Sequence, residues 1–351
     1  MKVILLAPLP PPNGGIASWT VRICNNTLKN DWTIDVVDEK LTFGREVFGS
    51  KTKKNLFHEA KRTLRIWKEL NQKLKDEDAA VVHSCIPAGV TSMLRETGCL
   101  IITKLHKKKF VVHFRCTVPN MVKSKISKVV FKILAGNSDA VFVLNKKTEE
   151  FTAKYCKTKT YLIPNFVSED EIDETFTIRE ELKAAIYVGG VIRSKGCMEI
   201  VNAAKLLPQI NFILVGRAAE DIAAEAEKLE NIQLLGLKNK EEIQQLLHDS
   251  DVFLFPSYFQ GEGFSNALVE AMAYGLPCIA SDWAANSDML DNGIIVPIQD
   301  EKALAKAIED MKPYEIRKRM SQVNIKKVRE EYCAEIVLSK YVDAYEELIK
   351  E

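Results

Sequence analysis

The chain has 351 residues, 46% of them hydrophobic and 28% charged, with 49 Lys and Arg set against 48 Asp and Glu. That length accommodates two domains of ordinary size, and the apolar fraction is that of a globular protein. No apolar stretch approaches the roughly 20 residues that a membrane-spanning helix requires. The eight cysteines (24, 85, 99, 116, 156, 197, 278 and 333) form no CxxC pair and lie mostly in or beside apolar runs. This pattern argues for buried thiols in a reducing compartment and against a disulfide framework or a zinc site.

Charge is unevenly distributed. Residues 1–165 carry 29 Lys and Arg against 14 Asp and Glu, a net of +15, and the remainder carries 20 against 34, a net of −14. A basic half joined to an acidic half predicts two domains with different partners.

Along the chain, short β-rich runs alternate with helical spacing. "MKVILLAP" stops at a proline after a short apolar run, so it reads as a first strand rather than a signal peptide, which predicts a cytosolic protein. "KVILLA" (2–7), "TIDVVD" (33–38), "AAVVHS" (79–84), "KFVVHF" (109–114) and "AVFVLN" (140–145) predict buried strands. Helical spacing separates them, as in 56–74 and 121–135. The rhythm returns with "AAIYVGG" (184–190), "INFILVG" (210–216), "NIQLLG" (231–236), "DVFLFP" (251–256) and "PCIASD" (277–282). Nearly continuous apolar strands alternating with helices predict parallel sheets covered on both faces. The linker is expected after "YLIPNF", where Pro164 and Asn165 precede the acidic run 169–174. The expected architecture is therefore α/β, with two Rossmann-like domains at 1–166 and 167–332 facing across a cleft. An amphipathic helix over 333–351 is expected to return to the first domain.

Within 251–282, "DVFLFPS" predicts a strand, "YFQGEG" a loop and "NALVEAMAYG" a helix ending at Gly275, with Ser265 or Asn266 as its N-cap. Such a helix begins at the carboxyl end of a strand and points its positive dipole end at the ligand region. That is an anion site, best suited to a diphosphate. Glu270 lies one turn past Asn266, about 6 Å along the axis, where a carboxylate can accept hydrogen bonds from vicinal hydroxyls. Glu262, before the helix, reaches the other side of the phosphates. Taken singly, the two glutamates also suit an ordinary solvated surface.

The run "PSYFQGEGFSNALVEAMAYGLPCIASD" closely resembles the signature of family 4 retaining glycosyltransferases, two glutamates with seven residues between them. The resemblance extends over nearly the whole chain through "PPPNGG", "VVHS", "HFR", "YLIPNFV" and "YVGGVIRSKG". It implies a GT-B fold and transfer from a nucleotide-activated sugar with retention of anomeric configuration. By position, Glu270 is implied to bind the donor ribose and Glu262 the hydroxyls of the transferred sugar. The segment Gly263, Phe264, Ser265, Asn266 and Ala267 is implied to line the donor, with its N–H groups on the diphosphate. Lys195 stands where the family keeps a phosphate-binding lysine. The arginine usual after "VG" is here Gly190, and the nearest arginine is Arg193, as a substitute cation or as a solvated one. Gly14 and Gly15 are implied to face the donor phosphate, although Asn-Gly-Gly is also an ordinary turn. His113 is implied to lie close to the donor sugar, although a histidine at a strand end is also commonly a satisfied polar group; Arg115, two residues on, is a candidate contact for the acceptor or the donor phosphate.

A lysine and an arginine after a strand can neutralise charge growing on a departing diphosphate. With those cations and the helix N-terminus available, no metal and no cofactor are expected, the sugar nucleotide being a substrate. "DED" at 76–78 matches a metal-binding DxD formally but follows a charged helix and reads better as a solvated loop.

Basic residues cluster at 104–110 and 120–134, where Val122, Ile126, Val129, Val130 and Ile133 form an apolar stripe among Lys123, Lys125, Lys128 and Lys132. A core-packed helix with a solvated face explains this pattern, and so does attachment to the anionic inner face of the cell membrane. No nucleic-acid-binding motif accompanies the charge. The expected function is hexosyl transfer to a saccharide or lipid-linked saccharide acceptor in surface polysaccharide synthesis, such as capsule or lipopolysaccharide. The alternatives are a non-catalytic sugar-nucleotide-binding scaffold, suggested by Gly190, and a sugar-nucleotide epimerase of similar fold.

Overall fold

A computed structural model of the chain describes residues 1–11, 14–40, 56–173 and 175–350. The chain divides into two compact units, one formed by Met1–Asn165 with Glu335–Glu351 and the other by Phe166–Ala334. Among the described residues, no helix is long and apolar enough to cross a membrane.

The first unit holds strands β1 (Lys2–Ala7), β2 (Thr33–Asp38), β3 (Ala79–Ile86), β4 (Lys109–Phe114), β5 (Ala140–Val143) and β6 (Thr160–Leu162). They form one sheet in the order β2-β1-β3-β4-β5-β6, parallel throughout. The apolar runs predict this burial: every residue of β5 and all but the first of β1 and β4 are buried. Right-handed crossovers put the helices Leu56–Lys73, Val90–Leu105 and Lys125–Asn137 on one face, because each carries the chain the same way across the sheet. The helix Gly15–Cys24 runs back from β1 to β2 and lies on the other face. There its Trp19 meets Tyr341 of the C-terminal helix Ala334–Lys350, ring centroids 6.1 Å apart.

The second unit holds β7 (Ala184–Val188), β8 (Asn211–Val215), β9 (Ile232–Gly236), β10 (Val252–Phe255), β11 (Cys278–Ser281) and β12 (Ile294–Val296). Their order is β12-β11-β10-β7-β8-β9, again all parallel. Read from its starting strand this is the dinucleotide-binding order, and strand direction of travel reverses between β7 and β10. Open parallel sheets bind ligands beyond the carboxyl ends of the strands at such a switch point. The first sheet has its own switch point between β1 and β3.

All ten predicted strands are present, with ends within two residues at each boundary. The structure adds two edge strands, β6 and β12, of three residues each. The helix expected over 121–135 is interrupted. Val118–Met121 forms one turn, and a new helix starts at Lys125, where Ser124 caps it by accepting from the Ser127 N–H at 3.1 Å. A cap satisfies an amide that has no partner inside the helix, so the serine favours a fresh start over continuation.

Candidate active site

The switch point of the second sheet is where the two sequence segments meet. After β7, a single helical turn Arg193–Lys195 leads through Gly196 into the helix Cys197–Leu206. Gly196 has φ +76°, and a Cβ there would lie 2.2 Å from the carbonyl oxygen of Pro256. Only glycine allows the β7 turn to close on the end of β10 in this way. The Tyr258 N–H then donates to the Ser194 carbonyl at 2.9 Å, joining the two loops.

The contact brings Lys195 and Glu262 together as an ion pair, with 15% and 12% of their side chains exposed. The lysine Nζ also lies 5.5 Å from the Phe255 ring centroid and 5.1 Å from that of Phe259, close enough for cation–π attraction. The Ser257 hydroxyl is 3.4 Å from Glu262 Oε2. Trp283 Nε1 donates to the Phe259 carbonyl at 2.7 Å and pins the loop from outside. Neither the aromatic bed nor Ser257 was named from the sequence. Phe255 ends a strand predicted to be apolar, and the fold turns its ring toward a cation.

Beyond the loop, the helix Asn266–Ala273 begins with Ser265 at its N-cap, the hydroxyl accepting from Leu268 N at 3.2 Å. Leu268, Val269, Ala271, Met272 and Ala273 are buried, so the half-exposed face carries Asn266, Ala267 and Glu270. Glu270 therefore stands above the helix start on the side left open by packing. Gly263 and Phe264 are buried ahead of it, the Phe264 ring edge-on to Tyr332 at 5.2 Å. A positive helix end, a lysine and two carboxylates in one loop cluster suit a ligand with an anionic centre and hydroxyl groups on either side.

Two cationic expectations come out differently. Arg193 is 60% exposed, and its side chain pairs with Asp221 on the helix Glu220–Ala226. Gly190 has room for a side chain to begin: a Cβ built there meets nothing within 4 Å, so the glycine is not required by contact at that atom.

In the first unit, Gly14 caps the helix Gly15–Cys24 in an extended conformation, and a Cβ at Gly15 would also meet nothing within 4 Å. Both sit past the carboxyl end of β1, beside that sheet's switch point. Pro12 and Asn13 of the same loop lie outside the described residues.

His113, expected near the donor sugar, is fully buried with both ring nitrogens engaged, so its ring offers a substrate no open contact here. Its surroundings fix its protonation. Arg115 Nη1, which can only donate, lies 3.2 Å from His113 Nε2, so that nitrogen accepts. His113 Nδ1 then carries the hydrogen and donates to His83 Nε2 at 3.1 Å, and His83 Nδ1 donates to the Tyr345 hydroxyl at 2.6 Å. Burial and the Arg115 charge hold both histidines neutral, His83 pushed down to about 3. What His113 does from this position is hold Arg115, whose guanidinium also lies 4.2 Å over the Trp19 ring and donates to Asn165. The ligand atoms of His83, Cys85 and His113 come within 4.8 Å of one another. An adjoining guanidinium and a thiol that burial holds protonated make that set a poor cation site.

A second buried ionic group at the carboxyl ends of β2 and β3 carried no sequence signal. Arg95 bridges Glu39 at 2.9 Å and Glu96 at 2.7 Å, and the Ser84 hydroxyl donates to Glu96 at 2.8 Å. Burial, then the neighbouring Glu96, raises the Glu39 carboxyl well above the usual carboxylate range.

Known proteins resemble this chain in sequence and in fold. Residues 183–312, which hold Lys195, Glu262 and Glu270, match the family described as "Glycosyl transferases group 1". A curated relative from Campylobacter jejuni, N,N'-diacetylbacillosaminyl-diphospho-undecaprenol alpha-1,3-N-acetylgalactosaminyltransferase, is 26% identical over 68% of this chain and 67% of its own length. Three further bacterial relatives are matched over 63% to 76% of their lengths. Among solved structures, a sucrose-phosphate synthase from Thermosynechococcus elongatus superposes with a TM-score of 0.80 at 17% identity, over 100% of this chain and 99% of that one. Anabaena HepE in complex with UDP does so with a TM-score of 0.76 at 14% identity, over 99% and 100%. Both share the two-sheet fold. By these matches residues 183–312 are similar to group 1 glycosyltransferases, and the chain has the GT-B fold of the solved structures.

Proposed function

We propose that the protein is a retaining glycosyltransferase of family 4 that moves a sugar from a nucleoside diphosphate sugar to a saccharide acceptor. The observation that carries this reading is the cluster at the β7/β10 switch point, where Lys195, Glu262 and the start of the helix Asn266–Ala273 converge. In this reading the diphosphate lies against the N–H groups near Ser265, Asn266 and Ala267, and Glu270 accepts from the ribose hydroxyls. Glu262 takes the hydroxyls of the transferred sugar. Lys195, released from Glu262 or shared with it, neutralises the charge that develops on the leaving diphosphate.

Catalysis comes from positioning and from charge stabilisation, with no enzyme nucleophile and no metal. Uridine is the base favoured here, since UDP occupies a structure with the same fold. A lipid-linked saccharide acceptor at the inner membrane face is favoured by the name of the Campylobacter relative and by the charge of the basic half. The Gly190 departure gives a specific reason to weigh a binding-only paralogue, and Gly190→Arg separates the two readings.

The test is a thermal-shift screen of nucleoside diphosphates and their sugars. A ligand bound by the folded state alone at 100 times its Kd adds about 2.7 kcal/mol of stability. UDP or a UDP-sugar should raise Tm, and Glu270→Ala should remove most of the rise. No shift with any nucleotide would end the proposal.

A further inference from the structure

The helices Val90–Leu105 and Lys125–Asn137 pack side by side on one face of the first sheet. Their inward residues join a single core that includes Met93, Cys99, Leu100, Val130, Phe131 and Leu134. Their outward residues are not polar, as a solvated helix face would be. Leu94, Ile101 and Leu105 face outward from the first helix, and Ile126, Val129 and Ile133 from the second. Leu105 is 77% exposed and Ile126 70%. The spacings 94, 101, 105 and 126, 129, 133 each mark one helical stripe.

Lysines frame these stripes. Lys123, Lys125 and Lys132 are exposed and Lys128 is half-buried, while Lys107 is exposed beyond the end of the first helix. Carboxylates are missing from both outward faces. The second helix has no acidic residue, and the first has only Glu96, which is buried against Arg95 and Ser84. Asp139, just past the second helix, is paired with Lys104 at 2.6 Å. An apolar stripe bordered by positive charge and free of negative charge is complementary to a surface that offers hydrocarbon beneath a layer of anionic headgroups. Scattered single leucines would carry no such meaning, but six large residues on two packed helices form a patch.

We infer that this two-helix face docks on anionic lipid, the lysines engaging headgroups while Leu94, Ile101, Leu105, Ile126, Val129 and Ile133 enter the acyl boundary. The inference rests on the proposed transfer to a membrane-borne acceptor for its purpose, but not for its physical argument. It specifies the membrane-facing side: the face of the first sheet opposite Trp19 and the C-terminal helix. A second copy of this chain is disfavoured as the occupant, because two such faces would oppose lysines to lysines.

The experiment is co-flotation of the full chain with vesicles of phosphatidylglycerol mixed with phosphatidylcholine, against phosphatidylcholine alone. Binding is expected to the anionic vesicles and to weaken strongly at high salt, where screening shortens to about 3 Å at 1 M. Two variants carry the test: Ile126→Glu with Ile133→Glu, and Lys125→Glu with Lys128→Glu and Lys132→Glu. Each should lower partitioning about tenfold or more while the nucleotide-induced thermal shift and transfer to a soluble acceptor stay at wild-type level. Equal binding to both vesicle types, or unaltered partitioning of both variants, would overturn the inference. So would a wild-type dimer in lipid-free solution that Ile126→Glu converts to a monomer. Because the nucleotide shift is read on the same samples, vesicle binding without any shift would sink the proposed function and leave the docking face standing.

Discussion

Lys195→Met separates the structural role of the lysine from its chemical one. The substitution keeps an apolar stem over Phe255 and Phe259 and removes the charge that pairs with Glu262. A hydrogen bond to a charged group contributes about 1.5–3 kcal/mol net, and the residual exposure of both partners brings this pair to about 1–2 kcal/mol. For a unit of this size that lowers Tm by roughly 2–8 °C. The effect on the reaction should be larger in free energy. Removing one preorganised charge from a developing anion costs about 10²–10³ in kcat, or roughly 2.7–4 kcal/mol. The assay pairs thermal unfolding with the initial rate of nucleotide release from the cognate donor, measured well below the variant's Tm. A cycle with Glu262→Gln supplies the coupling energy, expected at about 1–2 kcal/mol in stability. If Lys195→Met kept kcat within about threefold of wild type while losing Tm, the lysine would be a structural cation and the assignment of its role would fail. Zero coupling would mean that the pair does not form.

Three other outcomes follow from the same structure. Gly190→Arg, placed where a Cβ meets nothing within 4 Å, should leave Tm within a few degrees and raise kcat; unchanged activity in an active enzyme would show that no second cation is needed there. Turnover should be indifferent to excess chelator, and a loss restored by Mg²⁺ would overturn the metal-free reading. Stability should be highest near pH 6.5. His83 and His113 are held neutral in the fold, so the unfolded chain binds more protons below its ordinary histidine pKa and stability falls as pH drops, by about 1.4 kcal/mol per unit for each titrating ring. Burial and the neighbouring Glu96 raise the Glu39 carboxyl to about 8, so between the ordinary carboxylate pKa and about pH 8 the fold binds the extra proton and stability falls as pH rises, a decline that Glu39→Gln should flatten.

Much of this fold is legible in the sequence because parallel strands buried on both faces are written as apolar runs. Lys2–Ala7 and Lys109–Phe114 are marked to the residue by such runs, whereas the edge strand Thr33–Asp38 buries only Val37 and is marked by its β-branched residues instead. Thr160–Leu162 and Ile294–Val296 are not, since a three-residue edge strand has too little apolar length to stand out and the first runs straight into Ile163 and Pro164. The stripe Val122, Ile126, Val129, Val130 and Ile133 shows a different limit. The helix is apolar on two sides, and periodicity cannot say which one faces the sheet; packing chose Val130, Phe131, Leu134 and Ala135 and left Ile126, Val129 and Ile133 outside. At the site, Ser265 and Glu270 were legible because capping and turn spacing are local. The His83–Tyr345 hydrogen bond joins residues 262 positions apart, and no local rule could place it.

The most direct test of the central claim is a crystal structure of the full chain soaked or grown with UDP. It should place the diphosphate against the backbone N–H groups of Asn266 and Ala267, at about 3 Å, with the ribose hydroxyls on Glu270 and Lys195 within reach of a phosphate oxygen. A nucleotide bound elsewhere, or one whose phosphates leave the start of the Asn266–Ala273 helix uncontacted, would contradict the account.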